Sequence, residues 1–296
     1  MTRAPSPHTP LDSHARRLNR VIDHVDTHLA EDLRLEHLAP LAAFSPFHLH
    51  RLFHSWTGET IRDFVRRRRL ETAGIRLRNA PGLSILEIAL SCGFSSAETF
   101  SRSFRQHFGL SPSAWRVHPA LASRPDSQSI SPAQDLGLES VELHRFPSRE
   151  VLYWRARGDY AEVVDSLWAR FLPWVRSIGL ENQPLLGMGL DDPAITAARH
   201  RRYDACVVLP ESWQDMACQL SSRKRVEGGW YACLAFPAER IDIGAAWSWL
   251  LKEWLPGSGF TAGTAPFFEA YPVNPQLSER RRTDALLCMP VLPLAR

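Results

Sequence analysis

The stretch LAPLAAFSPFHLHRLFHSWTG (38–58) returns, altered, as IALSCGFSSAETFSRSFRQHFG (88–109). Leu38-Ala39 becomes Ile88-Ala89, Phe44-Ser45-Pro46 becomes Phe94-Ser95-Ser96, Arg51-Leu52-Phe53 becomes Arg102-Ser103-Phe104, and Gly58 becomes Gly109, at an offset of 50 to 51 residues. Each copy reads as a short helix, a tight turn, a second helix and a closing glycine. The pattern predicts a helix-turn-helix unit used twice. The second helix of such a unit lies in a DNA major groove. Two units in one chain predict two grooves read without a partner subunit, by a monomer or weak dimer.

Local signals around the copies agree. Leu18, Val21, Ile22, Val25 and Leu29 fall on one face of a first helix. Leu35 to Ala42 reads as the short first helix of copy one, with Pro40, which has no N–H, near its first turn. Ser45 offers an N-cap with Pro46 at the first helical position, and Gly58 ends that helix. Thr60 to Asn79 reads as one connecting helix with Ile61, Phe64, Val65, Ala73 and Leu77 inward. Its length, about 20 residues at ~1.5 Å each, approaches the ~34 Å between successive major-groove faces. Ser84 and Glu87 form a capping-box pattern, and Ser95 and Glu98 repeat it at the last recognition helix. Arg66 to Arg69 point around most of the connecting helix, so they cannot all meet DNA. Arg69 reads as a structural ion-pair partner, Arg66 and Arg67 as solvated.

Composition narrows the setting. The chain has 296 residues, 44% hydrophobic and 23% charged, enough for two cored domains of an ordinary globular protein. No apolar run approaches the roughly 20 residues needed to span a bilayer, so no membrane partner is expected. The opening Met1–Pro10 is rich in Pro, Ser and Thr and reads as disordered rather than as a secretion signal. Cys92, Cys206, Cys218, Cys233 and Cys288 are odd in number and show no ligand spacing, which fits free thiols in a reducing cytoplasm. The net charge of +3 hides an asymmetry: residues 1–124 hold 17 Arg against 11 acidic residues, +6, and the remainder hold 18 basic against 21 acidic, −3. A basic N-terminal half predicts a polyanion partner. The expected location is cytoplasmic and nucleoid-associated.

Residues 119–138, PALASRPDSQSISPAQDLGL, lack a helical stripe and read as a linker. Beyond them Val141–His144 and Val151–Trp154 read as strands, Ala161–Ser177 as an amphipathic helix, and Leu185–Leu190 and Ala205–Leu209 as further strands. This half also repeats. Arg201-Arg202-Tyr203-Asp204-Ala205 matches Arg281-Arg282-Thr283-Asp284-Ala285, and Trp168 matches Trp247, at offsets of 79 to 82. The predicted architecture is therefore two domains. An all-α tandem helix-turn-helix domain over 11–118 precedes an α+β domain over 139–296 of two strand-helix-strand-strand repeats, 141–210 and about 228–290. Such repeats leave a cleft at their pseudo-twofold seam.

These residues carry a resemblance. Residues 11–118 resemble the AraC/XylS-type transcription regulator DNA-binding domain, through FSPFHLHRLF (44–53), Arg69-Leu70 with Ala73, and Ile88-Ala89, Cys92-Gly93-Phe94, Phe100-Ser101-Arg102, Phe104, Gly109 and Ser111-Pro112. Residues 138–296 resemble the gyrase-inhibitor-like (GyrI-like) effector-binding domain, through Arg157-Gly158-Asp159-Tyr160, Asp191-Asp192-Pro193, Arg202–Cys206 and Phe268-Glu269-Ala270-Tyr271. The resemblance implies a bacterial regulator that binds double-stranded DNA, works with RNA polymerase and responds to a small-molecule effector.

Candidate DNA residues follow from the helix faces. Leu49, Leu52 and Phe53 carry the core stripe of the first recognition helix, which leaves Phe47, His50 and Arg51 exposed; the family's base-reading positions fall on these three. Arg51 can contact guanine O6 and N7 together, His50 a base edge, Phe47 a thymine methyl. In copy two the matching positions are Ala97, Glu98 and Arg102, with Thr99 near the phosphates. Two readings of Glu98 stand side by side: a cap for Ser95, or an acceptor for cytosine N4.

For the second domain, the candidate ligand residue is Glu269, between apolar neighbours in a strand over 267–271 and matching the family's charged pocket residue. Its pseudo-symmetric counterpart falls at Gly187–Gly189, where small side chains leave space. Eight of the ten tryptophans lie beyond the linker, and Trp154 and Trp230, on strands, could line the seam. With Tyr160 and Tyr203 they suit a lipophilic cationic or aromatic ligand held by cation–π contact and one carboxylate. An exposed Glu269 is the alternative. The sequence offers no Ser/His/Asp triad, Cys/His pair or metal-ligand spacing, so no catalytic residue, metal or cofactor is expected, and the chain does not read as an enzyme. Some relatives of this effector domain are hydrolases. The competing functional reading is therefore a drug-sequestering or hydrolytic protein with DNA binding secondary.

Overall fold

A computed structural model describes residues 10–80, 82–117, 140–211, 213, 221–236, 243–271 and 285–294. They fall into two compact units, one helical and one built on a sheet. The expected disordered segment 1–10, apart from Pro10, and the expected linker 119–138 lie outside the described residues. No described helix is long and apolar enough to cross a membrane.

The helical unit opens with α1 (Pro10–Thr27). Leu18, Val21, Ile22 and Val25 of its apolar stripe are buried, and Leu29 follows just past its end. The helix expected over 35–42 is broken in two: α2 (Leu35–Leu38) and a 3-10 turn over Ala39–Ala42. Pro40 supplies no backbone donor, so the α pattern stops and the chain tightens before Ala43 takes a left-handed conformation. α3 (Pro46–Thr57) starts on Ser45, whose side chain accepts the His48 N–H, and ends at Gly58. α4 (Ile61–Asn79) starts on Thr60, which caps Asp63 N–H. Its predicted inward residues are all buried. α5 (Ile85–Ser91) carries the full Ser84–Glu87 capping box, and α6 (Ala97–Phe108) and α7 (Pro112–Val117) complete the unit. Two clusters form its core, one under α1–α3 and the start of α4, the other under the rest of α4 and α5–α7.

The arginine run departs from expectation. Arg67 is buried, not solvated: it reaches Glu59 at 2.5 Å and Glu71 at 2.9 Å. Arg68 joins the network through Asp26 at 2.8 Å and Glu71 at 3.0 Å. A buried guanidinium requires such partners; Glu71 lies on α4 itself, while Glu59 and Asp26 reach in from outside it. Arg69 donates to the carbonyls of Leu29 and Glu31 instead of pairing with a carboxylate. Arg66 is exposed and hydrogen-bonds Gln106.

The second unit contains β1 (Glu142–Phe146), β2 (Arg149–Arg157), α8 (Tyr160–Ser177), β3 (Leu185–Gly189), β4 (Arg202–Val208), β5 (Ser222–Val226), β6 (Gly229–Phe236), α9 (Ile243–Trp249), α10 (Leu255–Gly257), β7 (Phe260–Ala262), β8 (Phe268–Tyr271) and β9 (Ala285–Pro293). A π turn over Leu250–Trp254 joins α9 to α10. Among the described residues nine strands form one antiparallel sheet in the order β1-β6-β9-β8-β3-β4-β2-β5, with β7 on β9. Outward from the central β3–β8 pair, the order is β3-β4-β2-β5 one way and β8-β9-β6-β1 the other. β1 thus lies on β6, not on its chain neighbour β2, and β5 lies on β2. Alternate residues of β2 serve two cores. Leu152 and Trp154 face α8, while Val151 and Tyr153 face a cluster with Cys206, Tyr231, Cys233, Phe268 and Cys288.

Candidate DNA interface and candidate ligand site

Gly187 and Glu269 are register partners where β3 meets β8, at the centre of the sheet. Glu269 is 7% exposed, so the surface reading of this residue fails. Its Oε2 accepts hydrogen bonds from the Tyr203 and Tyr271 hydroxyls, each at 2.7 Å, and the Trp247 indole also hydrogen-bonds the carboxyl group. Trp168 Nε1 donates to the Tyr203 hydroxyl at 3.3 Å. Gly187 makes this arrangement possible. A Cβ there would stand 2.1 Å from the Tyr203 oxygen and 2.6 Å from Glu269 Oε2. Burial pushes the Glu269 carboxyl above the ordinary carboxyl range, and the three hydrogen bonds only partly oppose it. Burial, followed by the charge of Glu269, pushes the Tyr203 hydroxyl well up as well.

The other predicted ligand residues are not all at this carboxylate. Tyr160 stands beside Tyr203, ring centroids 6.0 Å apart, but backbone groups engage its hydroxyl: the Asp191 carbonyl at 2.8 Å, the Arg202 carbonyl at 3.1 Å and the Asp191 N–H at 3.1 Å. Trp154 packs on Trp174 and Phe171 of α8. Trp230 is 53% exposed at the end of β6, opposite Arg145 of β1, and does not join the group around Glu269. Sequence reading missed Trp168, Trp247 and Tyr271. The sequence pairs Trp168 with Trp247 at an offset of 79, and both reach this one carboxylate network.

On the helical unit, Phe47, His50 and Arg51 are all exposed on α3. The Arg51 guanidinium lies over the Phe47 ring at 5.7 Å. In the second recognition helix the expected Ser95–Glu98 box is absent. Ser96 is the N-cap, accepting the Thr99 N–H at 3.2 Å, with the two hydroxyl oxygens 3.1 Å apart. The turn before α6 holds one residue more than the turn before α3, which is why the offset rises from 50 to 51. Counted from the caps, Ala97 takes the place of Pro46, Glu98 that of Phe47, Ser101 that of His50 and Arg102 that of Arg51. Glu98 stands exposed at the second helical position, with no hydrogen-bond partner among the described residues. Thr99 is exposed, but its hydroxyl is engaged at the cap through Ser96. Arg102 is exposed on the same face as Glu98 and Thr99.

Among the described residues no three His, Cys, Asp or Glu side chains are placed to hold a metal ion.

Comparison with known proteins matches both units. A family described as a helix-turn-helix domain matches residues 38–118, and one described as a GyrI-like small molecule binding domain matches residues 139–292. Regulatory protein SoxS of Escherichia coli (strain K12) is 35% identical over 104 residues, which is 35% of this chain and 96% of SoxS. Transcriptional regulator Rob of Salmonella typhimurium (strain LT2) is 34% identical over 126 residues, 43% of this chain and 42% of Rob. Among solved structures, the DNA-binding domain of AdpA in complex with a target DNA is 31% identical with a TM-score of 0.34, covering 38% of this chain and 98% of that one. The class is a transcription regulator with an AraC-type DNA-binding domain. The chain belongs to the GyrI-like small molecule binding domain family, with that DNA-binding domain ahead of it.

Proposed function

We propose that this regulator reads a specific DNA sequence through Phe47, His50 and Arg51 in one groove and Glu98, Thr99 and Arg102 in the next. Its GyrI-like domain senses a small lipophilic cation at Glu269. The regulator acts in the cytoplasm on the chromosome, with RNA polymerase as the downstream partner. The observation that carries the sensing reading is the buried Glu269 carboxylate, wrapped by Trp168, Tyr203, Trp247 and Tyr271 across from a glycine. A carboxylate in aromatic surroundings is costly to ionise until a cation arrives, and aromatic faces favour that cation.

Calorimetry on the full chain with matched cationic and neutral aromatic dyes tests this. The cationic dye is expected to bind at least tenfold tighter, and the nearly isosteric Glu269→Gln is expected to abolish the difference. Equal binding of both dyes by the parent, or undiminished cation binding by the variant, would refute the sensing role of Glu269.

A further inference from the structure

A cleft of about 710 Å³ lies within the helical unit, between residues 32–36, which lead into α2, and α3 and the first half of α4. Its size suits a small organic molecule. Its floor is apolar: Leu33, Ile61 and Val65 are buried there, joined by Phe94 from the turn before α6. Its rim is basic. Arg62, Arg66 and Arg69 stand one to two turns apart along α4 and all line it. Arg62 is exposed and has no hydrogen-bond or ion-pair partner among the described residues. Arg69 is held by the backbone carbonyls of Leu29 and Glu31 and not by a carboxylate, so no ion pair among the described residues neutralises it. Two carboxylates also line the cleft, but Arg34 already engages Asp32 at 2.5 Å, and Glu36 stands in its exposed first turn of α2. The excess is cationic.

A phosphate backbone finds little to contact on an apolar floor. A solvated inorganic anion gains nothing from Leu33 and Phe94. An apolar body with one acidic group satisfies floor and rim together: the body displaces water from the floor, and a guanidinium pairs with the carboxylate or sulfonate. We infer that this cleft is a second ligand site, separate from Glu269, and that it takes an amphipathic organic anion. His50 lines the cleft and is also a candidate base-reading residue. An occupant therefore competes with DNA directly, inside the DNA-reading domain, without passing through the sensor.

The fluorescent arylsulfonate 8-anilino-1-naphthalenesulfonate is a suitable probe, and N-phenyl-1-naphthylamine is the same body without the charge. Titrated into the full chain, the sulfonate is expected to give a saturable one-to-one signal that a 30-bp duplex, about three helical turns, displaces. Arg62→Glu combined with Arg66→Glu is expected to weaken the sulfonate at least tenfold and leave the neutral dye unchanged. Both side chains are exposed, and circular dichroism checks the fold; Arg62→Gln alone, expected to weaken it a few-fold, is the milder control. Glu269→Gln is expected to have no effect, which separates this site from the sensor. The inference is overturned if the sulfonate does not bind saturably, if the neutral dye binds as tightly, if DNA does not displace the sulfonate, or if the arginine variants bind it like the parent.

Discussion

Glu269 and Asp204 are both buried carboxyl groups, yet they answer pH with opposite signs. Burial disfavours the anion at both. At Asp204, Arg155 at 2.7 Å and Lys224 at 2.6 Å outweigh burial and hold the carboxyl below its usual range. Its contribution to stability is therefore present above the ordinary 3.8 and lost as pH falls through the folded value. Glu269 has only neutral hydroxyl and indole donors, and its carboxyl is raised. The folded chain then keeps a proton that the unfolded chain has released. Stability from Glu269 is present below the ordinary 4.5 and lost as pH rises through the folded value. Glu269→Gln should accordingly remove a downward slope in stability above that point while leaving the acid limb from Asp204 in place. Urea midpoints measured between about pH 4 and pH 8 check this. Superimposable profiles for parent and variant would contradict the raised carboxyl. The same titration governs the proposed ligand: cation affinity should decline as pH falls through the folded Glu269 value, because the neutral acid carries no charge.

Helix starts show how finely element boundaries depend on a single hydroxyl. Ser95 and Ser96 are adjacent, and the sequence alone favoured Ser95 because Glu98 completes a capping box three residues on. The longer second turn shifts the start, and Ser96 meets Thr99 instead. Ser96→Ala should lower stability by about 1 kcal/mol, and Ser95→Ala by much less, since an N-cap hydroxyl satisfies an otherwise unpaired backbone donor. Thermal unfolding of the two variants decides; an equal effect would mean that the cap is misassigned. The same comparison explains what was legible. The stripes Leu18–Val25 and Ile61–Leu77 were readable because helical period is a local property. The Arg67 and Arg68 network was not, since Asp26 and Glu59 reach them from other elements. β5, SRKRV, was missed because only Ser222 and Val226 of its five residues are buried, so it shows no apolar alternation. The pairing of β1 with β6 is equally non-local. At the candidate ligand site Glu269 and its facing glycine were legible, and Tyr271 stands only two residues from Glu269 on the same strand; Trp168 and Trp247 join them only through the packing of α8 and α9 on the sheet.

At the scale of the whole molecule, two recognition helices in one chain remove the need for symmetry. α4, 19 residues long, spans roughly 28 Å at the usual helical rise, comparable with the ~34 Å repeat of the major groove. A dimeric reader requires an inverted repeat, because its halves are identical; here the halves differ. α3 presents Phe47, His50 and Arg51, whereas α6 presents Glu98, Thr99 and Arg102, so each half-site should have its own sequence. One full-length molecule should protect roughly two helical turns of a non-palindromic site. Arg51→Ala should relax sequence preference in one half of that site and Arg102→Ala in the other, each at about 1–3 kcal/mol of discrimination. Non-specific binding to random duplex should change far less. An arginine that meets only phosphate would behave differently: its loss would weaken all duplexes alike and flatten the dependence on salt by about one ion. Selection of binding sites with parent and variants, followed by titration of selected and random duplexes over a salt series, separates the two. Recovery of palindromic sites, protection of one half-site only, or equal losses on both duplexes would each contradict tandem reading by a single chain.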